Sequence, residues 1–464
     1  STFLLTGQWD AKVDRVPGLA RSVQVETQVL CPGAFQEVDL QQAFGGVAVW
    51  SQSVLHSSRH AELVNLALKN AILQRDVAHL VFPDEVQTEP APASAKAGGP
   101  QGRLTPREIH PPEESLAAAA KLLKGAKHPI IILGHGARFH RKEILKFAED
   151  YQMPVLTTFK GKGLVPDAHP LACGVLGRSG TPIASWFMNE ADAILVLGAS
   201  FSNHTGITPK KPIIQVDYDP MLLGKFHPVE VPVWGEIGVT LDAIRGVLKP
   251  DECAARINQQ PEFAERWSIW RAEKLKRAAD DRGQGVNSAS IFAELNEAIP
   301  ANAVIAVDVG NNTYSFGRYF ECKDQAILMS GYLGSIGFGY PAAMGAWAAE
   351  NGPKNSQAQR QPGEGGRPIV AITGDGGFGQ YMGELLTAVK YKMNITHVLL
   401  NNSSIGKIKK EQLAGKFDVW QTDLHNPNFA EFATNCGALG IRVTRAEELK
   451  DAFTKAFAHN GPGL

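Results

Sequence analysis

Two short apolar runs on either side of a helical segment constrain the fold of this chain most strongly. Residues 369–373 read Ile-Val-Ala-Ile-Thr and stop at the glycine-rich turn 374–377, which is typical of a buried strand. Residues 378–392 have helical spacing, and the apolar run 396–400 predicts a second strand that ends at 401–402. Because a strand–helix–strand crossover makes its two strands parallel, we expect them to be neighbours in one sheet.

The polar residues that follow these strands predict a magnesium and anion site. We expect Asp375 and Asn402 to lie together at the carboxyl edge of the sheet, where open α/β sheets bind ligands. A carboxylate and an amide carbonyl are hard oxygen donors, which suit Mg²⁺ shared with a diphosphate. Gly374 ends the strand, and Gly376 and Gly377 expose backbone N–H groups at a helix start, which favours anion binding.

This arrangement resembles the thiamine diphosphate (ThDP) binding motif, in which Gly-Asp-Gly is followed by a helix, a strand and Asn-Asn. Here Asp375 and Asn402 are 27 positions apart (402 − 375). The resemblance implies that Asp375, Asn402 and the backbone carbonyl of Ser404 hold Mg²⁺ against the diphosphate. An isolated Gly-Asp-Gly is also typical of an ordinary turn, but the register of strand, helix, strand and Asn-Asn favours the cofactor.

A second segment resembles the part of this family that holds the middle of the cofactor. It reads Gly334-Ser335-Ile336-Gly337, followed by the small residues of 341–346. The resemblance implies that Ile336 separates the two cofactor rings, that the Gly334 carbonyl accepts from the amino group, and that Ser335 contacts the cofactor. Without the metal motif, a glycine- and alanine-rich helix start packed in a core explains these residues equally well.

The composition argues against several classes of partner. The 464 residues include 46 basic and 47 acidic side chains, so bulk charge suggests neither a nucleic-acid nor a membrane-surface partner. The five cysteines are scattered without a Cys-x-x-Cys pair, which fits a reducing compartment. Since no apolar run approaches membrane-spanning length and no signal peptide opens the chain, we expect a soluble cytoplasmic protein.

The first part of the chain, residues 1–86, resembles the later half of the family's pyrimidine-binding domain. Phe35-Gln36-Glu37 resembles a motif of the pyruvate oxidase and acetolactate synthase branch that approaches the active site of the neighbouring subunit. The resemblance therefore makes Phe35 and Gln36 candidate substrate or pyrimidine contacts. A helix start with an inward-packed Phe35 and a capping Gln36 is the alternative.

The glutamate that starts the family's proton relay has no equivalent here, since Glu26 and Glu37 lie downstream of its place. The chain begins at Ser1 without Met and ends at 461–464, where a strand is due. A shortened polypeptide and a natural loss both explain the missing glutamate, and the opening in mid-helix favours shortening.

A linker rich in Pro, Ala and Gly is predicted at 88–112, and an α/β unit follows it. Apolar runs with helices between them indicate a Rossmann-like middle domain. The predicted strands are 130–133, 155–158, 193–197 and 213–216.

Loops of this middle unit resemble the FAD-contacting loops of pyruvate oxidases. The loop 134–138 is only a partial glycine fingerprint, which alone is weak evidence for dinucleotide binding. The resemblance implies that Gly136 binds FAD, that Arg138 and Lys162 meet its diphosphate, and that Asp217 contacts an adenosine hydroxyl or the flavin side. Because some relatives keep this domain as an empty spacer, an empty domain is the alternative.

A diphosphate domain is predicted from Ser288 onwards. Its first strand, at 303–307, ends in a polar loop, and the resemblance implies that Asn311 or Asn312 helps to hold the diphosphate. Residues 352–366 predict a mobile surface insertion.

The helix predicted after the second strand carries the candidate substrate contacts. Its Ile-Lys-Lys-Glu-Gln string resembles the helix over the active site of pyruvate oxidases, which implies that Ile408 and Glu411 face the substrate. Lys407 departs from the aromatic residue of those oxidases, and this puts pyruvate itself in question. From the pattern alone, Lys407, Lys409 and Lys410 predict a solvated helix face.

The predicted fold class is α/β, with three Rossmann-like, doubly wound domains in the ThDP-enzyme fold. Residues 1–88 form the later half of the pyrimidine-binding domain, 113–250 the middle domain and 287–464 the diphosphate domain.

Three functions are open at this point. The resemblance implies first a ThDP- and Mg²⁺-dependent decarboxylation of a 2-oxo acid such as pyruvate, with the enamine electrons passed to flavin. A carboligase of acetolactate synthase type and a catalytically inactive ThDP-fold fragment are the alternatives. Because the family builds each site between two subunits, we also expect a homodimer or homotetramer.

Overall fold

The computed structural model describes residues 2–91, 98–253, 256–280, 283, 285–352 and 366–464. They divide into two compact units. The N-terminal unit comprises Ser1–Arg107 with Tyr332–Ser335, and the C-terminal unit comprises Glu108–Gly331 with Ile336–Leu464. Every strand pairing in the described part of the chain is parallel, and the predicted α/β class with parallel sheets is confirmed.

The N-terminal unit contains a three-stranded sheet of order β1-β3-β2. Its elements are α1 (Leu5–Val13), β1 (Gly18–Gln24), α2 (Leu40–Phe44), β2 (Trp50–Ser53), α3 (His60–Gln74) and β3 (Val77–Pro83). The central strand β3 is nearly all buried, whereas β1 and β2 at the edges are partly exposed. Ala67 and Ala71 of α3 pack against Leu80 of β3, which covers one face of the sheet.

A six-stranded sheet forms the first half of the C-terminal unit, in the order β6-β5-β4-β7-β8-β9. This is the strand order of a doubly wound dinucleotide-binding sheet, and its switch point lies between β4 and β7. The strands are β4 (Pro129–Leu133), β5 (Val155–Thr157), β6 (Ala172–Val175), β7 (Ala193–Leu197), β8 (Ile213–Asp217) and β9 (Val231–Trp234). The helices are α4 (Glu113–Gly125), α5 (Arg141–Asp150), α6 (Pro182–Glu190), α7 (Ile237–Val247) and α8 (Gln260–Ala278).

A four-stranded sheet of order β11-β10-β12-β13 forms the second half of the same unit. Its strands are β10 (Val304–Val307), β11 (Ala326–Met329), β12 (Ile369–Gly374) and β13 (Ile395–Leu400). The helices are α9 (Ser288–Ala298), α10 (Asn311–Tyr319), α11 (Gly339–Asn351), α12 (Asp375–Phe378), α13 (Glu384–Lys390), α14 (Gly406–Ala414), α15 (Phe429–Asn435) and α16 (Leu449–Ala458).

The sequence located the central strands of the two C-terminal sheets, but it missed the buried central strand β3 of the N-terminal unit. The predicted parallel pairing of β12 with β13 is confirmed, with Ile369 opposite Ile395. Strands β6 and β9 were missed because they lie at the sheet edges: β6 contains a glycine, and β9 contains Pro232 and alternates buried with exposed residues.

The helix predicted at 378–392 is wrong in part. The structure has the single turn α12, which ends at Phe378, and a separate helix α13, which begins at Glu384. Gly379 and Gly383 lie between them, and glycine disfavours a helix interior. The predicted insertion at 352–366 falls almost wholly on 353–365, which lie outside the described residues.

No helix within the described ranges is long and apolar enough to cross a membrane. The predicted linker carries turns but neither helix nor strand over 98–112. The domain boundaries at 1–88, 113–250 and 287–464 stay a prediction.

A buried histidine links all three strands of the N-terminal unit. His79 of β3 lies with Nδ1 2.8 Å from Ser51 Oγ on β2 and Nε2 2.9 Å from Ser22 Oγ on β1. Its ring stacks on Phe44, with 3.9 Å between centroids. Burial lowers the pKa of His79 to about 4, so the ring is neutral in the folded protein at neutral pH.

We expect this histidine to make the folded state less stable in mild acid. An unfolded histidine binds a proton near pH 6.5, and the folded one does so only near pH 4, so stability falls as pH drops through this range. The slope for one proton is at most about 1.4 kcal/mol per pH unit. Urea unfolding of wild type and His79→Gln at several pH values checks this.

The variant should show the shallower decline, since glutamine does not titrate. His60→Gln is the matched control, because His60 lies at the start of α3 and only half-buried. Equal slopes for wild type and His79→Gln would contradict the assignment.

Candidate functional site

A cavity of about 750 Å³ lies at the carboxyl ends of the strands of the four-stranded sheet. Strands β10, β12 and β13 are parallel neighbours, so the segments that follow them leave the sheet at one edge. The cavity is lined by most of the site residues predicted for this domain, namely Asn311, Ile336, Gly374, Asp375, Gly376, Gly377, Asn402 and Ser404.

Asp375 is the buried acid of this cavity, with 3% of its surface exposed. It is the first residue of α12, and its Oδ2 accepts a hydrogen bond of 2.7 Å from Nδ2 of Asn426. The same Nδ2 donates to Oδ1 of Asn401 at 2.9 Å. Asn426 thus orients the acid from the opposite wall of the cavity.

Asn426 is a site residue that the sequence reasoning missed. It precedes Pro427 and Asn428, and Asn428 caps α15. An Asn-Pro-Asn string reads as a turn before a helix, so the local signal indicates capping rather than a ligand. Only the chain fold brings it to Asp375, which is 51 positions away.

Two amides converge where α14 begins. A Cβ atom on Gly406 would lie 2.5 Å from Nδ2 of Asn311 and 3.0 Å from Nδ2 of Asn402, so only glycine allows both side chains to approach. The backbone N–H of Ser404 donates to Oδ1 of Asn402 at 3.3 Å. The hydroxyl of Ser404 is buried and has no hydrogen-bond partner among the described residues.

The turn that starts α12 is closely packed against its neighbours. A Cβ atom on Gly377 would lie 2.1 Å from Oδ2 of Asp308, and one on Gly376 would lie 3.3 Å from Leu424. Because α12 has only four residues, its helix dipole is small. An anion at this turn would be held by individual backbone N–H groups. Burial raises the pKa of Asp308 to about 6, although backbone N–H groups oppose the shift.

These residues fit Mg²⁺ and a diphosphate ester. The donors are one carboxylate, one amide carbonyl and one loop carbonyl, which is a hard oxygen set. The orphaned Ser404 hydroxyl supplies a further polar group, and Ile336 with Ile405 supplies apolar surface for rings. Within the described residues, no cluster of three or more His, Cys, Asp or Glu side chains offers a competing metal site.

The helix α14 carries the predicted substrate contacts Ile408 and Glu411, whose roles stay predictions. Ile408 is partly exposed, and Glu411 accepts a hydrogen bond from the Lys407 ammonium at 2.6 Å. That bond lowers the pKa of Glu411. Lys407 also lines the cavity and lies 5.2 Å from the ring centroid of Tyr314, while 30% of its side chain is exposed, so its assignment to a solvated face stays a prediction.

Four predicted site residues belong to the N-terminal unit. Phe35 is 89% exposed, so the inward-packed alternative is wrong. Gln36 has a φ of 68°, and the Glu37 carboxylate stabilises the turn by accepting from backbone N–H groups of 31, 33 and 34. Gly334 has a φ of 69°, and its cofactor contact, like that of Ser335, stays a prediction.

The predicted flavin contacts of the six-stranded sheet lie in separate places. Gly136 follows β4 and donates from its N–H to the Gly198 carbonyl at 3.0 Å, at the switch point. Arg138 is in the same loop, lies over the Phe139 ring at 4.4 Å and donates to the His135 carbonyl.

Asp217 ends β8 and is buried. Lys162 is also buried, with 5% exposed, and its ammonium donates to the Phe320 carbonyl at 2.7 Å and lies 3.4 Å from Asp167. The expected contact of Lys162 with a diphosphate does not fit this position, because two protein acceptors already surround the ammonium.

Two family models match this chain, one in each half of the C-terminal unit. The profile of the thiamine pyrophosphate enzyme central domain matches residues 116–244, and that of the C-terminal TPP binding domain matches 308–464. The first region holds all six strands of the six-stranded sheet, and the second holds all the predicted site residues from Asn311 to Glu411, including Gly334 and Ser335.

Relatives match along the whole chain. YdaP of Bacillus subtilis, whose name describes it as a thiamine pyrophosphate-containing protein, is 34% identical over all of this chain and 77% of its own length. A Methanocaldococcus jannaschii protein named a probable acetolactate synthase large subunit is 29% identical over all of this chain and 78% of its own. Pyruvate oxidase of Lactiplantibacillus plantarum is 24% identical over all of this chain and 75% of its own.

Removal of the buried acid should abolish metal-dependent cofactor binding. We expect Asp375→Ala to weaken Mg²⁺-dependent retention of ThDP by more than about 100-fold, and Asn426→Ala, which removes the donor shared by Asp375 and Asn401, by about 10–100-fold. Equilibrium dialysis with and without Mg²⁺ measures both. Asp451→Ala, an exposed acid of α16, is the matched control and should bind like wild type. Unchanged retention by Asp375→Ala would refute the site.

Proposed function

This chain belongs to the thiamine pyrophosphate (thiamine diphosphate) enzymes, and on that premise we propose that it is a ThDP- and Mg²⁺-dependent enzyme that decarboxylates a 2-oxo acid such as pyruvate. The observation that carries the proposal is the convergence of Asp375, Asn402 and the Ser404 loop on one cavity at the carboxyl ends of the parallel strands. When bound, the cofactor supplies a nucleophilic carbon and an electron sink.

The residues of this chain then have separate tasks. Asp375, Asn402 and the Ser404 carbonyl hold the metal, and Asn426 orients Asp375. Asn311 and the backbone N–H groups of 376–377, which line the same cavity, would hold the diphosphate. Ile336 and the neighbouring apolar side chains fix the rings and exclude water, which strengthens electrostatic interactions inside the cavity.

The first form of the proposal is a pyruvate-oxidase-like enzyme that passes electrons to FAD in the middle domain. It is supported by the doubly wound strand order, since ligands of such sheets bind at the switch point. The loop with Gly136 and Arg138 lies at that point, and Asp217 ends a strand at the same edge. Lys162 takes no part, because it is buried in its pair with Asp167.

The second form is a carboligase of acetolactate synthase type, in which a second 2-oxo acid is the acceptor. It is supported by relatives of that name, one of which is 29% identical over the full chain, against 24% for the pyruvate oxidase. Both forms use the same cofactor cavity and differ in what accepts the electrons or the carbon fragment.

A visible absorption spectrum distinguishes the two forms. For the oxidase we expect flavin bands in the purified protein, release of FAD on denaturation, and bleaching when ThDP, Mg²⁺ and pyruvate are added. For the carboligase we expect a condensed product and no net reduction of an added electron acceptor. Absence of flavin would contradict the oxidase, and absence of CO₂ release from a panel of 2-oxo acids would contradict both forms.

We also propose that the chain assembles as a homodimer or homotetramer. Support comes from large apolar side chains that are exposed in one copy, including Phe35, Leu413, Phe417 and Trp420. Multi-angle light scattering across a dilution series should give at least twice the 50.1 kDa mass of one chain. A stable monomer at every concentration would refute the assembly.

A further inference from the structure

A second buried acid, Asp308, lies beside the cofactor cavity with no role assigned to it so far. It follows β10 directly, and only 1% of its surface is exposed. Its Oδ1 accepts hydrogen bonds from the backbone N–H of Val309 at 2.7 Å and of Gly337 at 2.8 Å. The backbone N–H groups of Phe338 and Gly339 also point to this carboxyl group.

The other oxygen of Asp308 lies between two segments. Oδ2 is buried and has no hydrogen-bond partner among the described residues. The Gly377 backbone is so near that a Cβ there would lie 2.1 Å from Oδ2, and a Cβ on Gly339 would lie 2.9 Å from Cβ of Asp308. The side chain therefore fills the gap between the 336–339 segment and the start of α12.

The main chain of Asp308 fixes a further element. Its carbonyl accepts from Nδ2 of Asn312 at 2.9 Å and from the hydroxyl of Thr313, both in the first turn of α10. Its N–H donates to the Ile372 carbonyl of β12 at 2.9 Å. One residue thus contacts every segment that carries a proposed ring or diphosphate contact in the C-terminal unit, except the 402–405 loop.

We propose that Asp308 is a positioning residue that holds Ile336 and the Gly376–Gly377 turn at the separation that bound ThDP requires; this inference rests on the proposed function. A carboxylate that accepts backbone N–H groups makes strong, directional, charge-assisted bonds. The same carboxylate is costly to bury, and an apolar side chain of its size would fill the gap without that cost. The Asp308 carboxylate accepts from backbone N–H groups of 337–339, and these bonds hold the neighbouring residue Ile336 in place. This task explains why a buried carboxylate stands here despite the free energy that its burial costs.

The test compares two replacements of Asp308. Asp308→Ala removes both the bulk and the acceptor, and we expect it to weaken ThDP binding at saturating Mg²⁺ by about 10–100-fold. Asp308→Asn keeps the shape and one acceptor for Val309 and Gly337, and we expect it to recover most of the affinity. Isothermal titration calorimetry with ThDP gives Kd, and urea unfolding of each variant gives its stability.

Asp167→Asn is the matched control for a buried acid of the same unit. Asp167 pairs with Lys162 and accepts from the Cys322 N–H, away from the residues that line the cavity. We expect this variant to lower the unfolding midpoint and to leave the Kd of ThDP unchanged. If Asp308→Ala does not fold, Gly339→Ala places a Cβ 2.9 Å from Asp308 Cβ and 2.9 Å from Thr373 Cγ2, which pushes the 336–339 segment away from Asp308 and should weaken ThDP binding in the same direction.

The outcomes separate this inference from the proposed function. Wild-type affinity for ThDP in Asp308→Ala, or a loss in Asp308→Asn as large as in Asp308→Ala, would overturn the positioning role while the cofactor site stands. A wild-type protein that binds no ThDP with Mg²⁺ would overturn the proposed function itself.

Discussion

The parallel alignment of β10, β12 and β13 is the constraint on which the cofactor site depends. Val307 pairs with Ile372, and Gly374 pairs with Leu400, so the residues that follow these strands emerge at one edge. A shift of one residue in either pairing would turn every side chain of that strand to the opposite face. β10 and β12 are buried on both faces, so the register depends on the close packing of individual side chains and not on an alternation of apolar and polar faces.

The two sheets of the C-terminal unit are joined by buried polar contacts as well as by apolar packing. Lys162 and Asp167 come from the loop after β5 and bind the backbone of Phe320 and Cys322, close to β11. Breaking a buried pair by removing one partner costs about 3–5 kcal/mol, so this joint is a strong determinant of the unit's geometry. Lys162, which resembles a flavin contact in the sequence, therefore stabilises the junction between the two sheets.

The helix α14 carries a pair of opposite charges at the edge of the cavity. Lys407 lines the cavity and is paired with Glu411 one turn later, so the cation and the acid partly neutralise each other. Because Ile408 lies between them and is partly exposed, the helix presents an apolar side chain flanked by charges.

The sequence by itself determined the central strands of the two C-terminal sheets and the α/β class, because these depend on local periodicity within strand–helix–strand units. It also determined the family, because segments that resemble the family's motifs occur in all three predicted domains. Edge strands β6 and β9, the break between α12 and α13, and the burial of Lys162 were decided only in the tertiary structure. Asn426 and Asp308 belong to this second group for the same reason. Their partners lie on other elements of the chain, and no local pattern records a hydrogen bond between segments that meet only when the sheet has formed.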